Sequence, residues 1–282
     1  MPLGLQLPRL YRRIAALLWA RRLLWLLIPV SIWLLVRDAQ CIGCAVADVY
    51  FGLLLLKALA AWEESLRRQF IRDAALPRFL VGKVCAAHPG LKPRDAELVL
   101  RGLRQFFLAH LRSGRQFVAM PSRVVDTAWH EFILHTQAYQ AWCRTAFGAL
   151  LHHTPAEVLG RDARRNDGLR RTWYWACKEE SIDPRQPARL PLLFALDGKF
   201  DIPGGFRYVP DCRAVAHSAH RDAHCGTSFG ESADGSGSDS GPGAGDAAGF
   251  GGSESGASAD GGGTSDGGSS CGGGGCGGGG GD

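Results

Sequence analysis

The sequence predicts a mainly α fold: a membrane-anchored small helical domain with short irregular or strand segments and a disordered Gly-rich C-terminal tail. Three observations predict it. Two apolar stretches lie near the N-terminus, apolar residues recur at helical spacing through the middle, and glycine and serine dominate the C-terminal end. The expected domains are a membrane anchor over 1–65, a helical globular domain over 66–212, and an acidic tail over 213–282.

The two apolar stretches predict the anchor. Leu23–Val36 contains no charged residue, and Ala45–Trp62 contains only Asp48 and Lys57. A spanning helix needs about 20 apolar residues, so each stretch is short. Arginines precede the first stretch and follow the second, which favours a helical hairpin with the domain and tail facing the cytoplasm. One span beside an interfacial helix is the alternative, and a cleaved signal peptide fits less well because the basic region extends to Arg22.

Three helices are predicted between the anchor and the centre of the chain. "ESLRRQFIRDAALP" reads as a basic helix stopped by Pro77, and "PRFLVGKVCAAHP" as a helix that ends at Pro89. "LKPRDAELVLRGLRQFFLAHLRSG" gives the clearest pattern, because Pro93 suits a first helical turn and Gly114 a C-terminal stop.

The segment Val124–Cys143 is predicted to form one core-facing helix after Ser122 as its N-cap. At about 100° per residue, its apolar and aromatic side chains, Trp129 among them, form one continuous stripe. The same segment contains histidines, a carboxylate and a cysteine, which are the side chains that build reactive sites. Packing is the preferred interpretation, because a wide apolar stripe is what a core-facing helix requires.

Asp126 and His130 lie one turn apart on that helix, so the carboxylate is placed to accept a hydrogen bond from the ring. Such pairs occur in structural networks and also orient metal-bound or catalytic histidines. His135 falls on a different face, which excludes a site formed by both histidines on a straight helix. The spacing also differs from the His-Glu-x-x-His of zinc proteases.

The remaining elements are less regular. Thr154 before Pro155 predicts the N-cap of a further helix, and "RNDGLRRTWYWACKEE" predicts another helix. "RLPLLFALD" is an apolar run bounded by chain breakers, and short strand and buried turn both remain open for it.

The tail and the domain carry opposite charge. Gly226–Asp282 contains 25 glycines, eight acidic residues and no lysine or arginine, with Phe229 and Phe250 as its aromatic residues. It cannot bury enough apolar surface to offset its ordering entropy, which predicts disorder. Residues 66–225 contain 25 basic and 15 acidic residues. This basic character favours a solvated face near the membrane, or an acidic ligand within the chain or on a partner.

A second group of potential ligands lies where the tail begins. His217, His220 and His224 are spaced three and four apart and would share one face of a helix, with Cys225 beside them. These side chains suit zinc, although their spacing matches no standard zinc module. No cofactor is expected elsewhere, and the sequence contains no nucleotide-binding fingerprint and no G-x-S-x-G elbow.

Several segments resemble known proteins. "VVDTAWHEFILHTQAYQAWCRTAFGALLHHTP" resembles the signature of the glycine-rich domain-containing protein-like family, and "RRTWYWACKEE" and "RLPLLFALD" resemble uncharacterised bacterial membrane proteins with this domain and a Gly/Cys-rich tail. The resemblance covers roughly 70–212. It implies a domain, an architecture and a bacterial inner-membrane location, but no established reaction. Plant members of the family often carry a second histidine two residues after the first, and that position is Phe132 here, which puts a carried-over site of two histidines in doubt. The residues that match the signature are Asp126, Trp129, His130, Tyr139, Cys143 and His153.

The sequence therefore predicts a membrane-anchored interaction or scaffold protein with an unidentified protein partner and no catalytic residue. One alternative is a metal-dependent enzyme that uses His130 and His153, with Asp126 orienting His130. The other is binding of nucleic acid or anionic lipid by the basic core, with nucleic acid the less favoured partner.

Overall fold

The computed structural model describes residues 8–37, 42–154, 163–211, 224–230 and 252–255, and it is mainly helical, as the sequence predicts. The helices are α1 (Pro8–Arg37), α2 (Ile42–Asp73), α3 (Phe79–Ala87), α4 (Pro93–Arg112), α5 (Arg123–Leu134), α6 (Thr136–Ala146), α7 (Ala163–Glu179), α8 (Leu192–Lys199) and α9 (Thr227–Gly230). The strands are β1 (Val118–Ala119), β2 (Leu151–Thr154), β3 (Tyr208–Val209), β4 (His224–Cys225) and β5 (Gly252–Ser255).

The strands form two small sheets. In the first, β5 lies between β1 and β2 and pairs antiparallel with both, so that His153 lies opposite Ser253. In the second, β3 and β4 are parallel. Because the strands are only two to four residues long, the sheets join helices rather than form a layer of their own.

Helices α1 and α2 pack against each other as an antiparallel pair at the N-terminal end. Of the 18 large hydrophobic side chains that are exposed among the described residues, 16 belong to this pair. Arg21 of α1 forms an ion pair with Glu63 of α2, and Ser31 of α1 donates a hydrogen bond to Asp48. An exposed apolar surface of this kind is typical of a protein–protein or membrane interaction site.

Among the described residues, one helix is long and apolar enough to cross a membrane, and its segment is Leu10–Leu34. By length and composition, this test is also passed by signal sequences and by buried core helices. The second span of the predicted hairpin therefore stays a prediction. The basic segment that follows is not a separate helix, because α2 runs unbroken from Ile42 to Asp73 and carries the apolar stretch directly into the domain.

Helix α4 is the centre of the domain core, with twelve buried residues. Pro93 occupies its first turn, and the backbone N–H of Lys92 donates to Asp95, as expected for a stabilised N-terminus. Gly102 permits close packing: a Cβ there would lie 2.5 Å from Leu196 Cδ1 and 3.1 Å from Val125 Cγ2. The small residue therefore allows α4 to contact α5 and α8 at one point.

The single helix predicted over Val124–Cys143 is wrong, because the structure ends α5 at Leu134 and starts α6 at Thr136. His135 between them has φ −90° and ψ 62°, outside the helical region. Its ring stacks on Phe79 of α3 with centroids 3.8 Å apart. The break changes the direction of the chain, and this brings Tyr139 of α6 against Phe132 of α5 with centroids 5.2 Å apart.

The segment "RLPLLFALD", left open between strand and turn, forms helix α8. Its Asp197 is buried and accepts hydrogen bonds from the Ser122 hydroxyl at 2.7 Å and from the backbone N–H groups of Arg123 at 2.7 Å and Val124 at 3.1 Å. The Ser122 hydroxyl also accepts from Val125 N, which confirms it as the N-cap of α5. A carboxylate at this position stabilises α5, because the positive end of the helix dipole faces it.

Helix α7 confirms the helix predicted for "RNDGLRRTWYWACKEE". Thr154 is the last residue of β2, and the helix it was expected to begin lies outside the described residues.

Candidate metal centre

Two helical residues and one strand residue form a cluster of potential metal ligands. Asp126 and His130 lie on α5, and His153 lies on β2. One ligand atom from each of the three side chains lies within 4.8 Å of the other two. The strand reaches α5 because Gly148, with φ 84°, reverses the chain after α6.

Asp126 is central to the cluster. Its Oδ1 lies 3.2 Å from His153 Nε2, and its Oδ2 lies 3.5 Å from His130 Nδ1. The two imidazole rings are 4.3 Å apart between centroids. Zinc ligands at about 2.0–2.1 Å in a tetrahedron lie about 3.3–3.4 Å from one another, so the observed separations are close to those around an ion. The shorter contact of Asp126 is made to His153, although the sequence indicates only the contact to His130.

The cluster is open to solvent on one side. The side chain of His130 is 51% exposed, whereas those of Asp126 and His153 are 21% and 12% exposed. Three protein ligands with an open side leave a coordination position for water or substrate, which is the arrangement of catalytic rather than structural zinc sites.

A buried chain of hydrogen bonds lies on the side of the cluster that faces the protein core. The indole N–H of Trp129 donates to the Tyr139 hydroxyl at 3.0 Å, and that hydroxyl donates to the Leu151 carbonyl at 2.6 Å. The edge of the Trp129 ring also contacts His153, with centroids 4.7 Å apart. These contacts link α5, α6 and β2, so they fix the position of His153 relative to Asp126.

Cys143 lies beside this chain but does not suit a reactive role. The side chain is fully buried, and burial raises the pKa of the thiol to about 11. Burial likewise raises the pKa of Tyr139. Both groups are therefore neutral at physiological pH, and a neutral buried thiol is neither a good nucleophile nor a metal ligand.

All six signature residues lie in this region: Asp126, His130 and His153 in the cluster, and Trp129, Tyr139 and Cys143 behind it. The spacing of Asp126 and His130 indicates their contact. The spacing alone does not indicate His153, which is grouped with His130 only through the resemblance to the family signature. Its position depends on the turn at Gly148 and on the fold of β2.

The second predicted ligand group is described only in part. His217 and His220 lie outside the described residues, and His224 and Cys225 form β4. Cys225 is disulfide-bonded in the structure, so its sulfur is not a thiolate. Burial lowers the pKa of His224. Zinc binding by these four residues stays a prediction for a chain in which the disulfide is reduced.

The fold and the cluster define a mainly helical domain that combines an apolar N-terminal helix pair with a solvent-open group of two histidines and one aspartate. The chain belongs to the UCP032817-like family, an uncharacterised family whose model matches residues 66–229. No curated protein and no solved structure matches the chain. The resemblance to glycine-rich domain-containing proteins and the bacterial origin stay predictions.

Proposed function

We propose that the protein binds a divalent transition-metal ion at Asp126, His130 and His153, and that it does so next to a membrane. The observation that supports this proposal is that three potential ligand atoms lie within 4.8 Å of one another. They come from two elements, α5 and β2, that are separated in the sequence by α6. An interaction or scaffold role would need the anchor and the domain, but it would not explain why these three side chains converge. We therefore prefer the metal-binding function to the scaffold function that the sequence alone favours.

The ligand types indicate which ions the site would hold. Imidazole nitrogens suit zinc, iron, copper and nickel. The combination of two histidines and one carboxylate with open coordination positions is also typical of iron(II) sites. Zinc is the ion we expect first, because it accepts three protein ligands and one water. In such a site the ion acidifies its bound water, which makes metal-activated hydrolysis the reaction class that the geometry supports.

The membrane part of the proposal rests on α1 and α2. The candidate span Leu10–Leu34 supports insertion of α1. The outward apolar side chains of α2 extend the proposal to insertion of the pair as a hairpin. Arginines at both ends of the pair favour a cytoplasmic domain and tail. A cytoplasmic site beside a bilayer would act on substrates at or near the lipid surface.

Metal content and thermal stability of the full-length protein in detergent test the proposal. Wild type should contain about one ion per chain after purification, and a chelator should lower its melting temperature, because the energy of metal binding also stabilises the fold. His153→Gln should lose the ion and the response to chelator. His152→Gln is the matched control: it changes the neighbouring histidine on β2, which lies outside the cluster, and should behave as wild type.

His130→Gln separates a metal site from a structural hydrogen-bond pair. The exposed His130 side chain contributes little packing, so its loss should remove metal while costing less than about 1 kcal/mol in the metal-free protein. A wild-type protein without bound metal, including after reconstitution with zinc or iron(II), would contradict the proposal. An equal chelator response in wild type and His153→Gln would contradict it as well.

A further inference from the structure

A cleft of about 670 Å³ lies along one face of α7. None of its lining residues belongs to the cluster of Asp126, His130 and His153. Four cationic residues contribute to its walls: Arg170, Arg171, Lys178 and Arg185. The three on α7 are spaced so that they follow one side of the helix. Such a surface favours a ligand with several negative charges.

Aromatic rings and two carboxylates complete the lining. Tyr174 and Trp175 add rings at an interplanar angle of 81°, and Tyr174 is 41% exposed. Asp167 and Asp183 reduce the charge of the walls, which leaves more positive than negative groups. A ligand with carboxylates and small or aromatic side chains would suit this lining better than a rigid polyanion.

The described contacts of Arg170, Arg171 and Lys178 leave much of the charge of these three side chains uncompensated. Arg171 donates to the Phe117 carbonyl at 2.9 Å, and Lys178 Nζ lies 5.6 Å from the centre of the Tyr174 ring. Neither partner carries a negative charge. Arg170 lies 3.8 Å from Asp167, and both of these side chains are more than a third exposed, so water weakens their attraction.

The chain leaves the cleft as an acidic segment. Phe229 forms part of the wall and packs on Trp173 with centroids 5.8 Å apart. The following segment, 231–251, contains no lysine or arginine. Beyond it, β5 pairs with β1, and β1 packs against α7. Both ends of the segment are therefore joined to elements that contact the cleft helix. Its acidic residues are Glu231, Asp234, Asp239 and Asp246.

We propose that the α7 cleft is a binding site for acidic peptides and that segment 231–251 is its intramolecular ligand. Single exposed ion pairs contribute only about 0–1 kcal/mol each, so a free peptide with four carboxylates would bind weakly. Attachment next to the cleft wall gives the segment an effective concentration of the order of millimolar, which compensates for this weakness. In the intact chain, the segment therefore competes with other acidic peptides for the cleft.

Binding of a labelled peptide to the full-length protein in detergent tests this proposal. The probe is a fluorescein-labelled peptide with the sequence of 228–250, followed by anisotropy. In one variant, the four acidic residues of the segment are changed to their amides. This tail-neutralised protein should bind the probe at least tenfold more tightly than wild type, because its own segment competes less. Added salt should weaken the binding.

Two charge-reversal variants, each made in the tail-neutralised protein, locate the binding. Arg170→Glu with Lys178→Glu should abolish binding of the probe. Arg94→Glu with Arg101→Glu makes the same change of charge on exposed positions of α4 and should leave binding unchanged. These control positions do not line the cleft.

Three results would overturn the proposal. The first is equal affinity of the probe for wild-type and tail-neutralised protein. The second is retention of binding when Arg170 and Lys178 are reversed. The third is tighter binding of a single-stranded oligonucleotide of equal charge than of the peptide, since that would identify the cleft as a nucleic-acid site. None of these measurements depends on bound metal, so their failure is separate from failure of the proposed function.

Discussion

The side chain of His110 shows how strongly the core acts on a single ionisable residue. It is fully buried in α4, with Nδ1 3.2 Å from the Gln116 carbonyl and its ring edge-on to Phe147 at a centroid distance of 5.0 Å. Burial lowers the pKa of His110 to about 4. The folded protein therefore holds a neutral ring, whose Nδ1–H donates to the carbonyl.

This residue predicts a pH dependence of stability. In the unfolded chain, the histidine titrates near its ordinary pKa of about 6.5, so between pH 6.5 and 4 the unfolded state binds a proton that the folded state does not. The contribution of His110 is complete above pH 6.5 and is lost as pH falls toward 4. At pH 5 the loss should be about 2 kcal/mol. Unfolding curves at pH 7 and pH 5 measure it.

His110→Gln provides the comparison for that measurement. The variant should be less stable at both pH values, but the drop between pH 7 and pH 5 should be smaller than in wild type by about 2 kcal/mol. Because the comparison is between two pH values in each protein, the packing cost of the substitution cancels. An identical pH dependence in both proteins would show that His110 is not the group responsible.

At the scale of elements, helix ends and breaks position the site. Helix α5 carries Asp126 and His130, and its N-terminus is fixed by the carboxylate of Asp197 on α8. Asp197 also accepts from the backbone N–H of Phe206 at 2.9 Å, so one buried side chain connects α5, α8 and the following loop. The orientation of Asp126 and His130 thus depends on a residue 71 positions from Asp126.

Asp197→Asn tests this connection. The amide keeps one acceptor oxygen but loses the second and the negative charge, so two of the backbone N–H donors lose a good partner. The cost should be about 2–3 kcal/mol, as for hydrogen bonds to buried charged groups. Thermal denaturation followed by circular dichroism measures it. Asp201→Asn, at an exposed position with φ 48° that asparagine accepts well, should change stability by less than about 0.5 kcal/mol.

The sequence pattern predicts the helices better than their junctions. Helix α4 and the N-cap Ser122 follow from local signals, namely Pro93, helical spacing and a hydroxyl before an apolar run. The break at His135 has no such signal, because its cause is tertiary packing on Phe79. The apolar run ending at Asp197 is short enough to suit strand, turn or helix, and only its contacts with α4 and α5 decide among them.

At the scale of the whole molecule, the α1–α2 helix pair and the domain share buried contacts. Arg67 of α2 is 2% exposed and donates to the Thr145 carbonyl at 2.6 Å and the Arg144 carbonyl at 3.2 Å, at the end of α6. It also donates to Glu63 at 2.8 Å, and Glu63 pairs with Arg21 of α1. The helix pair therefore stabilises the C-terminus of α6 just before the turn that leads to His153.

Arg67→Met should weaken this connection. Methionine retains most of the aliphatic volume but removes the donors, which leaves two carbonyls and Glu63 with fewer partners. We expect a loss of about 3 kcal/mol in stability, because removing one member of a buried ion pair costs about 3–5 kcal/mol and Arg21 still pairs with Glu63. Metal occupancy at His153 should fall together with the melting temperature.

Arg68→Met is the matched control for Arg67. The neighbouring arginine pairs with Glu64 at 3.3 Å on the partly exposed side of the same helix, and such pairs contribute about 0–1 kcal/mol. It should leave both melting temperature and metal occupancy near wild type. Equal effects of the two substitutions would indicate that only the general charge of α2 matters.

Under the proposed membrane insertion, the unbroken course of α2 limits what the candidate metal centre can reach. From Trp62, at the end of the apolar stretch, to Asp73 the helix rises by about 16 Å. With the apolar stretch in the bilayer, that rise fixes the distance between the domain and the membrane surface. Because α2 continues without a break to Asp73, it provides no hinge on which the domain could move away from the membrane. The electrostatic field of anionic headgroups decays over about 8 Å, so the lower face of the domain would work within the ion-rich layer at the lipid surface. Substrates would then be selected by their distance from the membrane before any side chain contacts them.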